Sequence, residues 1–160
     1  MFGHTLIAAL LALGLAAGVQ AIELPVEDPW VRTAPPKAPA RVGYLRIHNP
    51  SAEAVALVGV TSPQFETIEM HRTSLKNGMM RMEKVDKIEV PAGSELRLEP
   101  NGYHLMMMGN PLPLATGAQV TLDLKWSDGS TQRVIAGVRP SEDKESGEHS
   151  HGRSHPHHDH

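Results

Sequence analysis

The side chains best suited to chemistry in this sequence are methionines and histidines, and they are clustered. Seven of the eight methionines lie between Met70 and Met108, together with two histidines. They fall in three segments: Met70-His71, Gly78-Met79-Met80-Arg81-Met82, and Tyr103-His104-Leu105-Met106-Met107-Met108. In an extended strand, residues two apart face the same side, about 6.5–7 Å apart along the backbone. His104 and Met106 therefore point together, and Leu105 and Met107 point the other way, where core fillers belong. His71 and Met82 lie outside that strand but could complete a four-donor set. Two imidazoles with two thioethers suit a soft monovalent ion, Cu(I) rather than Zn(II), Mg(II) or Ca(II). Such a site needs no carboxylate, and none occurs in the cluster's immediate strand. Taken singly, each methionine reads better as an adaptable core filler, and a histidine as a satisfied polar residue at a strand edge. Only the joint pattern favours a metal.

The elements around the cluster are short apolar runs separated by turn residues. Val42 to Ile47 reads as a strand ending in the turn His48-Asn49-Pro50-Ser51, and Ala54 to Val60 as a second. Lys87 to Val90 alternates and stops at Pro91-Ala92-Gly93, and Glu95 to Leu98 stops at Pro100-Asn101-Gly102. Val120 to Trp126 alternates, turns at Ser127-Asp128-Gly129-Ser130 and resumes from Thr131 to Val138. Period-two segments every eight to twelve residues, punctuated by Pro and Gly, predict an all-β antiparallel sandwich or barrel. No window of ten or more residues carries a helical period.

Residues 1–21 contain no Lys, Arg, Asp or Glu, run through an apolar stretch from Leu6 to Val19, and end in Val19-Gln20-Ala21. So short a stretch predicts a cleaved export signal rather than a membrane span; the weak basic start leaves an uncleaved anchor as the alternative. Residues 22–140 then form one domain, long enough to bury a core without staples. With no Cys in the sequence, disulfides, thiolate metal sites and a lipid-modified cysteine are excluded. From Ile22 to Pro140 acidic and basic residues balance at 13 each, so the formal charge of −3 sits wholly in residues 141–160. No basic footprint marks a nucleic-acid partner. The tail has no large apolar residue and is expected to stay unfolded. It carries His149, His151, His155, His157, His158 and His160, too irregularly spaced for an engineered tag.

His71, ten residues, Met82, 21 residues, then His104-Leu105-Met106 resembles the copper-ligand signature of the periplasmic copper chaperones known as PCu(A)C. Gly78-Met79-Met80, Val90-Pro91-Ala92-Gly93, Gly102-Tyr103 and Trp30-Val31-Arg32 match the family's wording, so the likeness spans roughly Asp28 to Arg139. The resemblance implies a cupredoxin-like Greek-key β-sandwich holding Cu(I) through His71, Met82, His104 and Met106. It also implies an exported, periplasmic and monomeric protein. Such a protein delivers copper to the binuclear site of the cytochrome c oxidase copper subunit, or to another copper chaperone. Some members carry tails that bind a second copper as Cu(II); the six tail histidines are candidates, with oxygen donors such as Asp159 beside them. Met70, next to His71, is the residue expected to enter the ligand set most readily in place of another.

Blue-copper electron transfer fails for want of a Cys thiolate. An enzyme would need organised acid–base groups, and no paired carboxylate or activated nucleophile lies near the cluster. Three readings stay open: a copper chaperone, a copper buffer or resistance protein using the same donors, and a non-metal β-sandwich interaction domain with methionine-rich packing.

Overall fold

A computed structural model describes residues 21–110 and 113–140. The described chain is all-β, with no helix, as the turn-punctuated alternation requires. Its ten strands are β1 (Val26–Arg32), β2 (Ala40–Asn49), β3 (Val55–Thr61), β4 (Thr67–Lys76), β5 (Met79–Lys84), β6 (Ile88–Val90), β7 (Ser94–Leu98), β8 (Tyr103–Met108), β9 (Gln119–Trp126) and β10 (Thr131–Arg139). They form one hydrogen-bonded sheet in the order β5-β4-β8-β7-β2-β1-β10-β9-β3-β6, and β2 also pairs with β8. The sheet folds over on itself, so that β3 lies against β4 and β6 against β7. The two layers of the expected sandwich are thus parts of one continuous ladder.

Alternation along each strand fills the space between the layers. Leu45 and Ile47 of β2, Leu96 and Leu98 of β7, and Leu105 and Met107 of β8 face Leu57, Ile88, Val90, Leu122, Leu124 and Trp126 in a single buried cluster. Burying a side chain of this size contributes about 1.5–3 kcal/mol. Polar residues punctuate the edges. Asn49, almost wholly buried, donates to the carbonyls of Glu53 (2.8 Å), Val90 (2.9 Å) and Pro91 (3.2 Å). Its Oδ1 accepts from the Ser51 amide and hydroxyl, which locks the turn after β2 to the end of β6.

Three strands were not among those expected from the apolar runs: β1, β4 and β5. Strand β1 begins with a bulge between Glu27 and Trp30, where Asp28 takes φ 48°. β4 and β5 form a hairpin closed by Asn77 (φ 53°) and Gly78 (φ 75°). Two successive positive φ values make the tight turn whose twist suits a hairpin, and Asn-Gly is the pair that adopts it at least cost. All six residues of β5 are exposed, and β5 ends the sheet.

Candidate metal centre

The antiparallel pairing of β4 with β8 sets His71 directly opposite His104, Glu69 opposite Met106, and Met70 opposite Leu105. On the other side of β4, β5 sets Met82 opposite Thr73 and Lys84 opposite His71. Directly paired residues share a face, as do residues two apart on a strand. His71, Met82, His104 and Met106 therefore all lie on the outer face of three neighbouring strands. The imidazoles occupy the middle, their ring centroids 5.8 Å apart and their planes tilted by 57°. Met82 flanks them toward the Thr73 level and Met106 toward the Glu69 level.

Hydrogen bonds fix which nitrogen of each ring is free. Nδ1 of His104 lies 3.1 Å from the Gly102 carbonyl, which only accepts, so Nδ1 carries the proton and Nε2 keeps its lone pair. Nε2 of His71 lies 2.9 Å from Oε2 of Glu69, so His71 keeps its lone pair on Nδ1. These two lone-pair nitrogens are buried, and neither has a hydrogen-bond partner among the described residues. A buried polar atom left unsatisfied costs about 1–3 kcal/mol. One cation shared by both rings would remove that penalty twice.

Glu69 is itself anchored, because Lys84 donates to its Oε1 at 2.8 Å. That hydrogen bond, with the His71 contact behind it, holds the Glu69 carboxyl below the usual carboxylate range. In return Glu69 raises the Lys84 ammonium above its ordinary value. Among the described residues, no three His, Cys, Asp or Glu side chains are placed to hold a metal together. Met82 and Met106 are the methionines that share this face beside the imidazoles, and thioether donors favour Cu(I).

Exposure differs across the set. His104 is buried at 4%, Met106 is half-buried, and Met82 is open at 53%. Met80 shares the face of Met82, since it pairs with Leu75 two positions further along β4. Leu105 and Met107 face the core and are fully buried, as alternation required. Met70 does not serve as the replacement ligand expected from its place beside His71. It is one residue out of phase, faces Leu105 across the ladder and is buried in the core. Glu69 and Lys84 are the participants not anticipated from sequence; the signal was there in Glu69, two residues before His71 and hence on its face. His48 lies elsewhere, between Glu27 (3.1 Å) and Glu95 (3.2 Å). The six tail histidines lie outside the described residues.

Residues 24–138 match the family of LpqE-like lipoproteins. The chain belongs to this family. One relative, Lxx21020 of Leifsonia xyli subsp. xyli (strain CTCB07), named as a lipoprotein, is 35% identical over 123 residues, 76% of this chain and 73% of its own. Two solution structures of DR1885 from Deinococcus radiodurans are 32% identical. The apo form covers 89% of this chain and 95% of its own at a TM-score of 0.60. The Cu(I) form covers 79% and 85% at 0.63. The copper-bound PCuAC domain of PmoF2, 19% identical, shares the fold at a TM-score of 0.64 over 76% of this chain and 97% of its own. The LpqE-like chain thus carries the fold of the copper chaperones that its signature resembles. Its 160 residues contain no Cys, so none of them can carry the thioether-linked lipid of a lipoprotein.

Proposed function

We propose that this protein is a copper chaperone that holds Cu(I) through His71, Met82, His104 and Met106 and passes it to a recipient protein outside the cytoplasm. The observation that carries this reading is the pair of facing imidazoles, each with its tautomer fixed and its free nitrogen buried without a partner. Cu(I) accepts two imidazole nitrogens and two thioether sulfurs without displacing a charge from any of them. The 32% identical DR1885 has a structure with Cu(I) bound, which supports the same cargo here. The family's description as lipoproteins suits an exported protein, and no helix among the described residues is long and apolar enough to cross a membrane. The chain's role is carriage rather than catalysis, in keeping with the PCuAC domains that share its fold.

The arrangement also suits transfer. Three donors sit in or against the sheet, whereas Met82 stands on an exposed edge strand where another protein's donor can approach. Exchange begins by replacing the Met82 thioether, and the imidazoles, whose free nitrogens are buried, release last. By the family resemblance, the recipient is the binuclear copper site of cytochrome c oxidase. Residues 1–21 act as the export signal, and the tail from residue 141 binds a second copper, as Cu(II), through its histidines. The test is transfer from the Cu(I)-loaded protein to an apo oxidase copper domain. Transfer faster than from a small-molecule Cu(I) complex of equal affinity supports the chaperone. Transfer no faster than spontaneous dissociation makes the protein a copper buffer.

A further inference from the structure

Among the described residues, Glu69 carries the one carboxylate in hydrogen-bonding contact with this pair of imidazoles, and both of its oxygens are taken. Oε2 accepts from Nε2 of His71 at 2.9 Å, and Oε1 accepts from Nζ of Lys84 at 2.8 Å. The register makes this arrangement systematic, because Lys84 is the β5 partner of His71 and Glu69 is the β8-facing partner of Met106. A free carboxylate on this face would matter. With two imidazoles it would make the set of two histidines and one carboxylate that Zn(II) accepts, and oxygen donors suit Zn(II) far better than Cu(I).

Resting on the ligand reading above, we propose that Glu69 and Lys84 form an outer shell that sets the site's metal preference: Glu69 positions His71 with Nδ1 toward the ion, and Lys84 withholds the Glu69 carboxylate from becoming a ligand. Glu69 is thus a positioning residue and Lys84 a specificity-determining one. The His104 tautomer is held by a backbone carbonyl, so His71 is the ring whose orientation depends on a replaceable side chain. Outer partners of this kind typically change metal affinity about ten- to a hundredfold.

The experiment uses the full chain and reads the His71 and His104 ring resonances, which separate this site from the tail histidines. In apo Glu69→Ala, the ring nitrogens of His71 should report a mixed tautomer, and Cu(I) affinity in chelator competition should fall about ten- to a hundredfold. Glu69→Gln keeps an acceptor and should retain the wild-type tautomer. Lys84→Ala should hold Cu(I) within about threefold. Zn(II) alone should then perturb both rings at a concentration about tenfold lower than in wild type, on the scale of outer-shell effects. Adding Glu69→Ala to Lys84→Ala should abolish that gain. Unchanged Zn(II) response in Lys84→Ala, or a wild-type tautomer and Cu(I) affinity in folded Glu69→Ala, overturns the inference. His71→Ala separates the two levels. If it binds Cu(I) as wild type does, the ligand reading is wrong. If it loses Cu(I) while the Glu69 and Lys84 variants behave as wild type, the outer shell alone is wrong.

Discussion

Met106 and Met107 are adjacent in β8 yet face opposite sides, and replacing each by alanine should give opposite results. Met107 is fully buried, and its Sδ lies only 3.1 Å from where a Cβ on Gly43 would stand, so its surroundings are tightly packed. Truncating a buried methionine removes its transfer free energy and leaves a cavity, at about 2–5 kcal/mol. For a domain of this size that lowers the apo melting temperature by roughly 8–20 °C, at about 4 °C per kcal/mol. Cu(I) affinity of the folded fraction should stay within about threefold, because Met107 points away from the imidazoles. Met106 is half-buried on the outer face, opposite Glu69. Its truncation should cost about 1 kcal/mol or less in stability, toward the value for surface sites. It should weaken Cu(I) binding at least about tenfold, which corresponds to about 1.4 kcal/mol. Met82→Ala should show the same pattern with a smaller stability change still, since Met82 is more than half exposed. Urea unfolding of the apo proteins and Cu(I) competition against a bidentate chelator measure the two axes. Equal affinity losses for Met106→Ala and Met107→Ala would show that the sheet face does not define the site.

Other perturbations follow from the same geometry. Glu69, held down chiefly by Lys84, and Asp123, held down chiefly by Arg133, have folded-state carboxyls below their ordinary values near 4.5 and 3.8. A depressed carboxyl stabilises the fold above its unfolded pKa and loses that contribution as pH falls through the lower folded value. Apo stability should therefore hold from about pH 7 to about 5 and fall below about 4, less steeply in a Glu69→Gln, Asp123→Asn double variant; an identical acid slope would contradict the assignment. Gly109→Ala should destabilise more than Gly129→Ala by thermal melting. Both residues take positive φ, but a Cβ at Gly109 would stand 2.6 Å from Glu66 Cβ, whereas Gly129 faces open space. Truncation after Pro140 should abolish Cu(II) uptake and leave Cu(I) binding intact; loss of Cu(I) instead would merge the two sites.

Sequence and structure agree most closely where burial imposes a period of two. The runs that stop at Pro91 and Pro100 and the turn at Asp128-Gly129 bound observed strands, because one face of each run enters the core; β2 instead runs on through His48 and Asn49, which were expected in the turn. β4 and β5 escape that logic. Thr67 to Lys76 buries only Met70 fully, and Met79 to Lys84 buries nothing, so no hydrophobic alternation marks either strand. Asn77-Gly78 was the legible signal, since the pair reports turn geometry rather than burial. The same blind spot explains Met70 and Glu69. Without the β4 strand, adjacency to His71 made Met70 a plausible ligand, whereas strand parity sends it to the core and brings Glu69 to the site. His104 and Met106 were readable because their own strand carries two core residues, Leu105 and Met107, which fix its phase.

An exposed edge strand is ordinarily a liability, because its unpaired backbone groups invite another chain to add to the sheet. On the proposed ligand set, this edge holds a donor that a carrier needs outside. Of the six exposed large apolar residues among those described, Leu75, Met79, Met80 and Met82 all belong to the β4–β5 hairpin. Charged side chains at Arg81, Glu83 and Lys84 are interspersed among them, the feature that discourages strand addition. Lys84 is also committed inward to Glu69, so one side chain both charges the edge and steadies the carboxylate that orients His71. A site sunk wholly in the core would bind copper and release it only on unfolding. One built only from exposed thioethers would lose it to any competing chelator. On the proposed ligand set, two imidazoles with buried free nitrogens and one thioether at the margin would separate retention from exchange: all four donors would hold Cu(I), and Met82 would be the one a partner can replace first.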